Sequence, residues 1–314
     1  VERGPFAEGG TPTSRALYGA AAGLSLSLAG LIRPESVLAL ASAVVTAALG
    51  RLAAAASMIG FSLKGKDDTV TIRIDGGGPA GRLIAVANSC GNVKACADQT
   101  IVEIPLNAAG KLDVKGAVGT DGYLSVIKDF GLKEPYIGQT PLVSGEIAED
   151  ITNYYAVSEQ IPTVCGLGVL VNPDLTVRAA GGFLVQLLPF ADESCIDVLE
   201  ANLKALPPVS SMFEQGYPPQ RICELLLAGL NPNLLEEANT AYRCDCSEER
   251  AERTVRSLPA EDLQEMLDED NGCEICCHFC GAKYHFSKEQ LAAMIQRKKQ
   301  AAKKAAEESS AGES

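Results

Sequence analysis

Tryptophan is absent from this 314-residue chain, and histidine occurs only twice. So small a histidine supply argues against histidine-based catalysis. Cations are also scarce: 27 Lys and Arg stand against 40 Asp and Glu, a formal charge of −13. Nucleic acid demands clustered cations, and anionic lipid repels an acidic chain. Neither nucleic acid nor membrane is therefore an expected partner. Uncharged runs of spanning length are missing too. Ala16 to Ile32 and Ser36 to Gly50 carry no charge, but both are short and Arg33-Pro34-Glu35 divides them. No credible secretory signal opens the chain, so a reducing cytoplasm is the expected compartment. Gly76-Gly77-Gly78 is followed by Pro79 rather than a helix, which argues against a phosphate-binding loop. No paired carboxylates or Ser/His arrangement suggest a hydrolase.

What is present describes a globular protein, with 46% hydrophobic and 21% charged residues, long enough for two or more domains. Gly23-Leu24-Ser25-Leu26-Ser27-Leu28 alternates as a half-buried strand, and the Ala-rich stretch from Ser36 predicts a buried helix running to about Met58. Strand signals follow. Thr69 to Ile74 alternates, the Gly76–Pro79 stretch turns, and Arg82 to Ala87 returns as hairpin partner. Ile101 to Ile104, Tyr123 to Lys128 and Tyr136 to Val143 predict further strands. Glu146 to Gln160 predicts a helix with Ile147, Ile151 and Tyr155 on one face. A strand pair, Val169 to Val171 and Phe183 to Leu188, is expected around Asn172-Pro173-Asp174. Beyond Pro189 the pattern changes to amphipathic helices at Glu193 to Leu206 and Pro219 to Ala228, broken by prolines.

The expected fold is α+β in three parts: an N-terminal, mostly antiparallel sheet domain with helices (1–188), a helical linker (189–243) and a small C-terminal four-cysteine zinc module with a frayed tail (244–314). Ser287-Lys288-Glu289-Gln290 forms a capping box for a last helix carrying Leu291, Met294 and Ile295.

Six of the eleven cysteines lie in that last part: Cys244 and Cys246, then Cys273, Cys276, Cys277 and Cys280. Two tight cysteine pairs are what a tetrahedral zinc site needs. Cys273/Cys276 and Cys277/Cys280 both have C-x-x-C spacing, so the second pair is ambiguous. Gly281 favours Cys277 and Cys280, since it lets the backbone turn and aim amides at sulfur. Tyr284 and Phe286 then supply cover, while Cys273, after Asn271-Gly272, reads as linker. The favoured ligands are Cys244, Cys246, Cys277 and Cys280, holding one Zn²⁺. His278 and His285 read as solvent-facing or packing residues. Cys90, Cys96, Cys165, Cys195 and Cys223 are scattered singly and read as buried, inert thiols.

A passive zinc staple is the plain interpretation of such a site; two features point past it. The Cys244–Cys246 pair is unusually close, and zinc-bound thiolates are ready nucleophiles toward peroxide. Between Cys244 and Cys277 stand eleven acidic residues, three arginines and few large apolar groups. A structural zinc supplies about 10–16 kcal/mol to folding, comparable with the roughly 5–15 kcal/mol stability of a whole domain. Oxidising the sulfurs would then unfold the module.

These residues closely resemble the heat shock protein 33 family of redox-regulated holdase chaperones. The likeness rests on Cys244-Asp245-Cys246-Ser247, Cys277-His278-Phe279-Cys280 and Lys283-Tyr284-His285-Phe286-Ser287-Lys288-Glu289. It extends through Gly116-Ala117-Val118-Gly119, Val126-Ile127-Lys128, Pro141 to Asp150 and Arg178 to Phe183, and covers roughly Thr46 to Ile295. Cys273 and Cys276 are not part of the family pattern. The resemblance implies an ATP-independent chaperone rather than an enzyme, inactive while reduced and zinc-bound. It implies that oxidation pairs Cys244 with Cys246 and Cys277 with Cys280, expels zinc and loosens the redox-sensitive linker. Unfolding client proteins are then bound, and the oxidised protein forms a homodimer. The competing functions are a thiol-disulfide oxidoreductase and a zinc-dependent nucleic-acid binder. An acidic segment before the C-x-x-C, rather than a buried strand, opposes the first, and the surrounding charge opposes the second.

Overall fold

The computed structural model describes residues 14–21, 24–29, 42–269 and 272–311. In chain order the elements are β1 Ser14–Ala21, β2 Leu24–Ala29, α1 Ala43–Phe61, β3 Thr69–Asp75, β4 Leu83–Asn88, β5 Val93–Ala97, α2 Val114–Val118, β6 Tyr123–Asp129 and β7 Tyr136–Pro141. There follow α3 Ile147–Tyr154 with a π-helical turn Tyr155–Glu159, β8 Thr163–Val171, β9 Val177–Leu187, α4 Ser194–Ala205, α5 Val209–Glu214, α6 Pro219–Leu226 and β10 Asn233–Thr240. Then come α7 Glu248–Ser257, α8 Ala260–Glu269, β11 Gly272–Cys276, β12 Lys283–Ser287 and α9 Lys288–Ala311. The described residues fall into two compact units, one ending at Arg243 and the other running from Cys244.

The expected α+β class is what the first unit displays. Two five-stranded antiparallel sheets have strand orders β5-β4-β3-β6-β7 and β10-β1-β2-β9-β8. Helix α1 packs on strands of both sheets. Alanine, the best helix former, fills much of it and lets the sheets approach. Val45, Ala48, Leu52, Ala54, Ala56 and Met58 are fully buried. At Gly60 a Cβ would stand 2.7 Å from the Asn88 carbonyl oxygen, so only glycine permits this approach to β4. By length and composition α1 could cross a membrane, but 94% of its apolar stretch is buried within the protein, as befits a core helix. The expectation began this helix at Ser36; Ser36 to Ala41 lie outside the described residues, and the helix starts after Ser42.

The predicted Thr69/Arg82 hairpin is the β3–β4 pair, with Ile72 opposite Ala85. The alternation holds: Val70, Ile72 and Ile74 face the core. Ile101 to Ile104, by contrast, is not a strand. Val102 is buried and Ile104 packs against the core, but the Val102 N–H donates to Ser42 Oγ (3.2 Å) rather than to a neighbouring strand. The predicted helix from Glu146 is α3 plus the π-helical turn, stopped at Gln160 by a left-handed φ of 58°. Asp150, buried on α3, accepts from the Val143 and Ser144 amides (2.8 and 3.1 Å) and so fixes the turn before its own helix. Burial raises its pKa above the usual carboxylate value.

β9 is buried on both faces. Leu184 joins the core around α1, whereas Ala179, Phe183 and Val185 pack with Met212, Phe213, Ile222 and Leu226 from α5 and α6. The segment after residue 189 thus forms a layer, α4 to α6, over the far side of the β9 sheet. The strand β10 that ends this segment was not anticipated; it pairs with β1.

Candidate metal centre

The second unit builds its site from two turns, one at the start of α7 and one between β11 and β12. Ser247, directly after Cys246, caps α7 by accepting from the Arg250 amide (3.2 Å). Glu248 and Glu249 occupy the first turn, where the helix dipole favours acids. Arg250 also pairs with the Asp245 carboxylate, bracing the residue between the first two cysteines. The second turn closes the β11–β12 hairpin. Cys277 donates its amide to the Ala282 carbonyl and Gly281 donates to the Cys277 carbonyl, both at 2.8 Å. Gly281 adopts φ 69°, the left-handed value that its place after Cys280 suggested. Ser287 then caps α9 as read: its amide donates to Gln290 Oε1 (2.8 Å), and the Gln290 amide donates back to Ser287 Oγ (3.4 Å).

These two turns bring Cys244, Cys246, Cys277 and Cys280 together, with all four Sγ atoms within 4.8 Å of one another. Cys244 Sγ is 3.6 Å from Cys277 Sγ, and Cys246 Sγ is 3.2 Å from Cys280 Sγ. Tetrahedral zinc with Zn–S bonds of about 2.3 Å separates its sulfurs by about 3.8 Å. The donor set fits such an ion, and it is a group of four half-buried thiols that could hold a metal.

The electrostatics match. Burial pushes the Cys244 thiol well up and Cys280 up to about 11. Cys246 shows the opposite balance: burial acts against its thiolate, but donors around it, led by the Tyr284 hydroxyl at 3.1 Å, outweigh that and lower its pKa. The Cys246 and Ala282 amides aim at the Cys244 and Cys280 sulfurs. The protein's own donors thus favour the thiolate at one of the four sulfurs. A bound dication would supply the field that ionises the rest.

The competing C-x-x-C pair is split by strand geometry. Cys273 and Cys276 lie three residues apart on β11, hence on opposite faces. Cys273 packs half-buried beside Ile275 and Tyr284 against the small core, so it is a structural residue and not the linker expected. Cys276 is exposed. His278 and His285 are exposed as read, with His285 beside Glu274 (3.1 Å). Among the scattered cysteines, Cys195 and Cys223 are buried and Cys165 is half-buried with its thiol pushed up by desolvation to about 12. Cys90 departs from the expectation: it is exposed, because the tight turn after β4 uses its backbone, whose amide donates to Asn88 Oδ1 (3.1 Å).

Residues 30–287 match the sequence profile of the Hsp33 protein family. The chain belongs to the Hsp33 family. It is 48% identical over 256 residues to the 33 kDa chaperonin of Lachnoclostridium phytofermentans, covering 82% of this chain and 87% of that one. It is 47% identical over 246 residues to the 33 kDa chaperonin of Enterococcus faecalis, covering 78% and 82%. The crystal structure of the 33 kDa chaperonin (heat shock protein 33 homolog) of Thermotoga maritima superposes with a TM-score of 0.82 at 35% identity, covering 92% of this chain and 99% of the other. Membership of the Hsp33 family supports a chaperone function, with client proteins as partners.

Proposed function

We propose that the chain is an ATP-independent holdase of the cytoplasm, silent while Cys244, Cys246, Cys277 and Cys280 hold zinc and active once they are oxidised. One observation carries this reading: four thiols within 4.8 Å tie the start of the second unit to its β11–β12 turn, in a unit whose core is small. In the activating step, Cys244 joins Cys246 and Cys277 joins Cys280, as the family resemblance implies. Forming each disulfide passes two electrons from a pair of thiolates to one hydrogen peroxide, whose O–O bond breaks and, with two protons from solvent, leaves two waters. A Zn²⁺ held there would lose its ligands, because disulfide sulfurs carry no thiolate charge. Two of the sulfur contacts, at 3.6 and 3.2 Å, run across the pairs, so mapping the oxidised disulfides is a direct check.

Loss of the metal removes about 10–16 kcal/mol of folding free energy from the second unit. The linker at 189–243, joined to it at Cys244, then loses its C-terminal anchor. Its helices α4 to α6 cover Ala179, Phe183 and Val185, and their departure would bare a continuous apolar sheet face for unfolding clients. The same face would support homodimer formation. The acidic balance favours neither nucleic acid nor membrane as partner.

The test follows zinc release and suppression of a heat-denatured client's aggregation in one sample, before and after peroxide. Zinc leaving as holding appears, both reversed by thiol reductant, is the expected result. Retained zinc, or release without holding, would reduce the centre to a structural staple.

A further inference from the structure

Among the described residues, the β5 edge of its sheet has a strand neighbour, β4, on one side only. On the open side, the amide and carbonyl of Val93 and of Ala95 are all engaged by three linker residues. Val93 donates to the Ala241 carbonyl (3.0 Å), and the Arg243 amide donates to the Val93 carbonyl (2.9 Å). The Tyr242 hydroxyl accepts from the Ala95 amide (3.1 Å) and donates to the Ala95 carbonyl (2.8 Å). The Ala241 amide donates to Asn92 Oδ1 (3.0 Å). Val93 and Tyr242 form a parallel bridge, so 241–243 acts as a stub of a sixth strand, with the phenol standing in for the next peptide.

We propose that this stub is a removable cover, and that once it leaves, the β5 edge binds an extended segment of an unfolding polypeptide by backbone pairing. The inference rests on the holdase reading and adds a second, differently built client surface to it. Four features of the site favour an extended chain as occupant. An extended piece of this chain already sits there. The Val93 and Ala95 side chains are buried inward, so the edge presents backbone rather than a side-chain code. Backbone pairing is sequence-tolerant, which suits clients that share only being unfolded. An uncovered edge is also an aggregation hazard, which gives a reason to cover it at rest. The release device is the covalent connection itself: Arg243 directly precedes Cys244, so melting of the metal unit frees one end of the stub.

The experiment measures amide hydrogen exchange at Val93 and Ala95 in the full chain: zinc-loaded and reduced, oxidised, and oxidised with reduced carboxymethylated α-lactalbumin at saturation. Protection in the first state, at least about tenfold faster exchange in the second and renewed protection in the third are expected. Edge amides that stay protected on oxidation, or stay open with client bound, overturn the proposal. Tyr242→Phe removes both bonds to Ala95 and leaves the metal ligands alone. With zinc still bound, it should speed Ala95 exchange about tenfold and raise holding without oxidant; an unchanged rate and unchanged holding count against the cover. An oxidised protein that holds no client at all overturns the holdase reading beneath. One that holds client with Val93 and Ala95 unprotected overturns the edge site alone.

Discussion

The unit ending at Arg243 and the unit beginning at Cys244 are held together by different means. Among the described residues, the first gathers 33 buried residues around α1, and a second cluster lies under α4 to α6. Among its described residues, the second has seven buried apolar side chains, from Ala251 to Ile295, and four cysteines at its base. Burial is spread over many contacts and has no single control point. A metal held by these cysteines would concentrate the stability in four atoms that oxidation could disable together. On the proposed reading, the contrast lets one chain pair a lasting core around α1 with a unit made to come undone.

Stripping the metal should break the comparison open most widely. With about 10–16 kcal/mol withdrawn from it, the unit from Cys244 is expected to lose amide protection through α7, α8 and α9. Helix α1 and strands β3 and β4 keep theirs. Hydrogen exchange after chelation under thiol reductant reads both units at once, and simultaneous collapse of α1 would mean that the two share one stability. Leu52→Ala makes the reciprocal cut. A fully buried leucine at the middle of α1 should cost about 4 kcal/mol, seen as a lowered unfolding midpoint of the first unit. Zinc affinity should be unchanged, and a loss there would contradict the separation.

Leu263→Ala sharpens the contrast from the other side. Leu263 is fully buried in the small core, and its truncation should cost about 2 kcal/mol, the low end for a site able to collapse. Where folding and metal binding are one event, that cost appears as roughly 30-fold weaker zinc binding. Competition with a chromophoric chelator measures it, and an unaltered affinity would show that the unit folds before it binds.

The two units also differed in how far the sequence disclosed them. Alternation exposed β3 and β4 because one face of each is buried, and the cysteine spacing with Gly281 singled out the four sulfurs now found together. What escaped detection depends on partners distant in sequence. Asn233–Thr240 is acidic and exposed, with no local strand preference; β1 makes it a strand. Ile101 to Ile104 reads like a strand but lies beside the start of α1, where Val102 is buried and Ile104 packs on the core without ladder partners while Ile101 stays exposed. The acidic stretch after Cys246 seemed to lack a core because Ala251, Val255 and Leu263 meet Phe286 and Leu291 from the far side of the hairpin.

The smallest expected effects concern the cysteine pair that spacing could not separate. Cys273 packs against the small core and Cys276 is exposed on the opposite face of β11. Cys273→Ser puts a hydroxyl among apolar neighbours and should cost about 1 kcal/mol, read as a few-fold fall in zinc affinity with one zinc per chain still bound. The sequence placed Cys273 in a linker; its packing against the small core revises that. Cys276→Ser should leave affinity and stability within about 0.5 kcal/mol, as at other exposed positions. Abolished zinc binding in either variant would move the ligand set to the other C-x-x-C. The strand would then have to twist to bring both sulfurs to one face, and the β11–β12 pairing of Cys273 with Phe286 and Cys276 with Lys283 could not persist in the loaded protein.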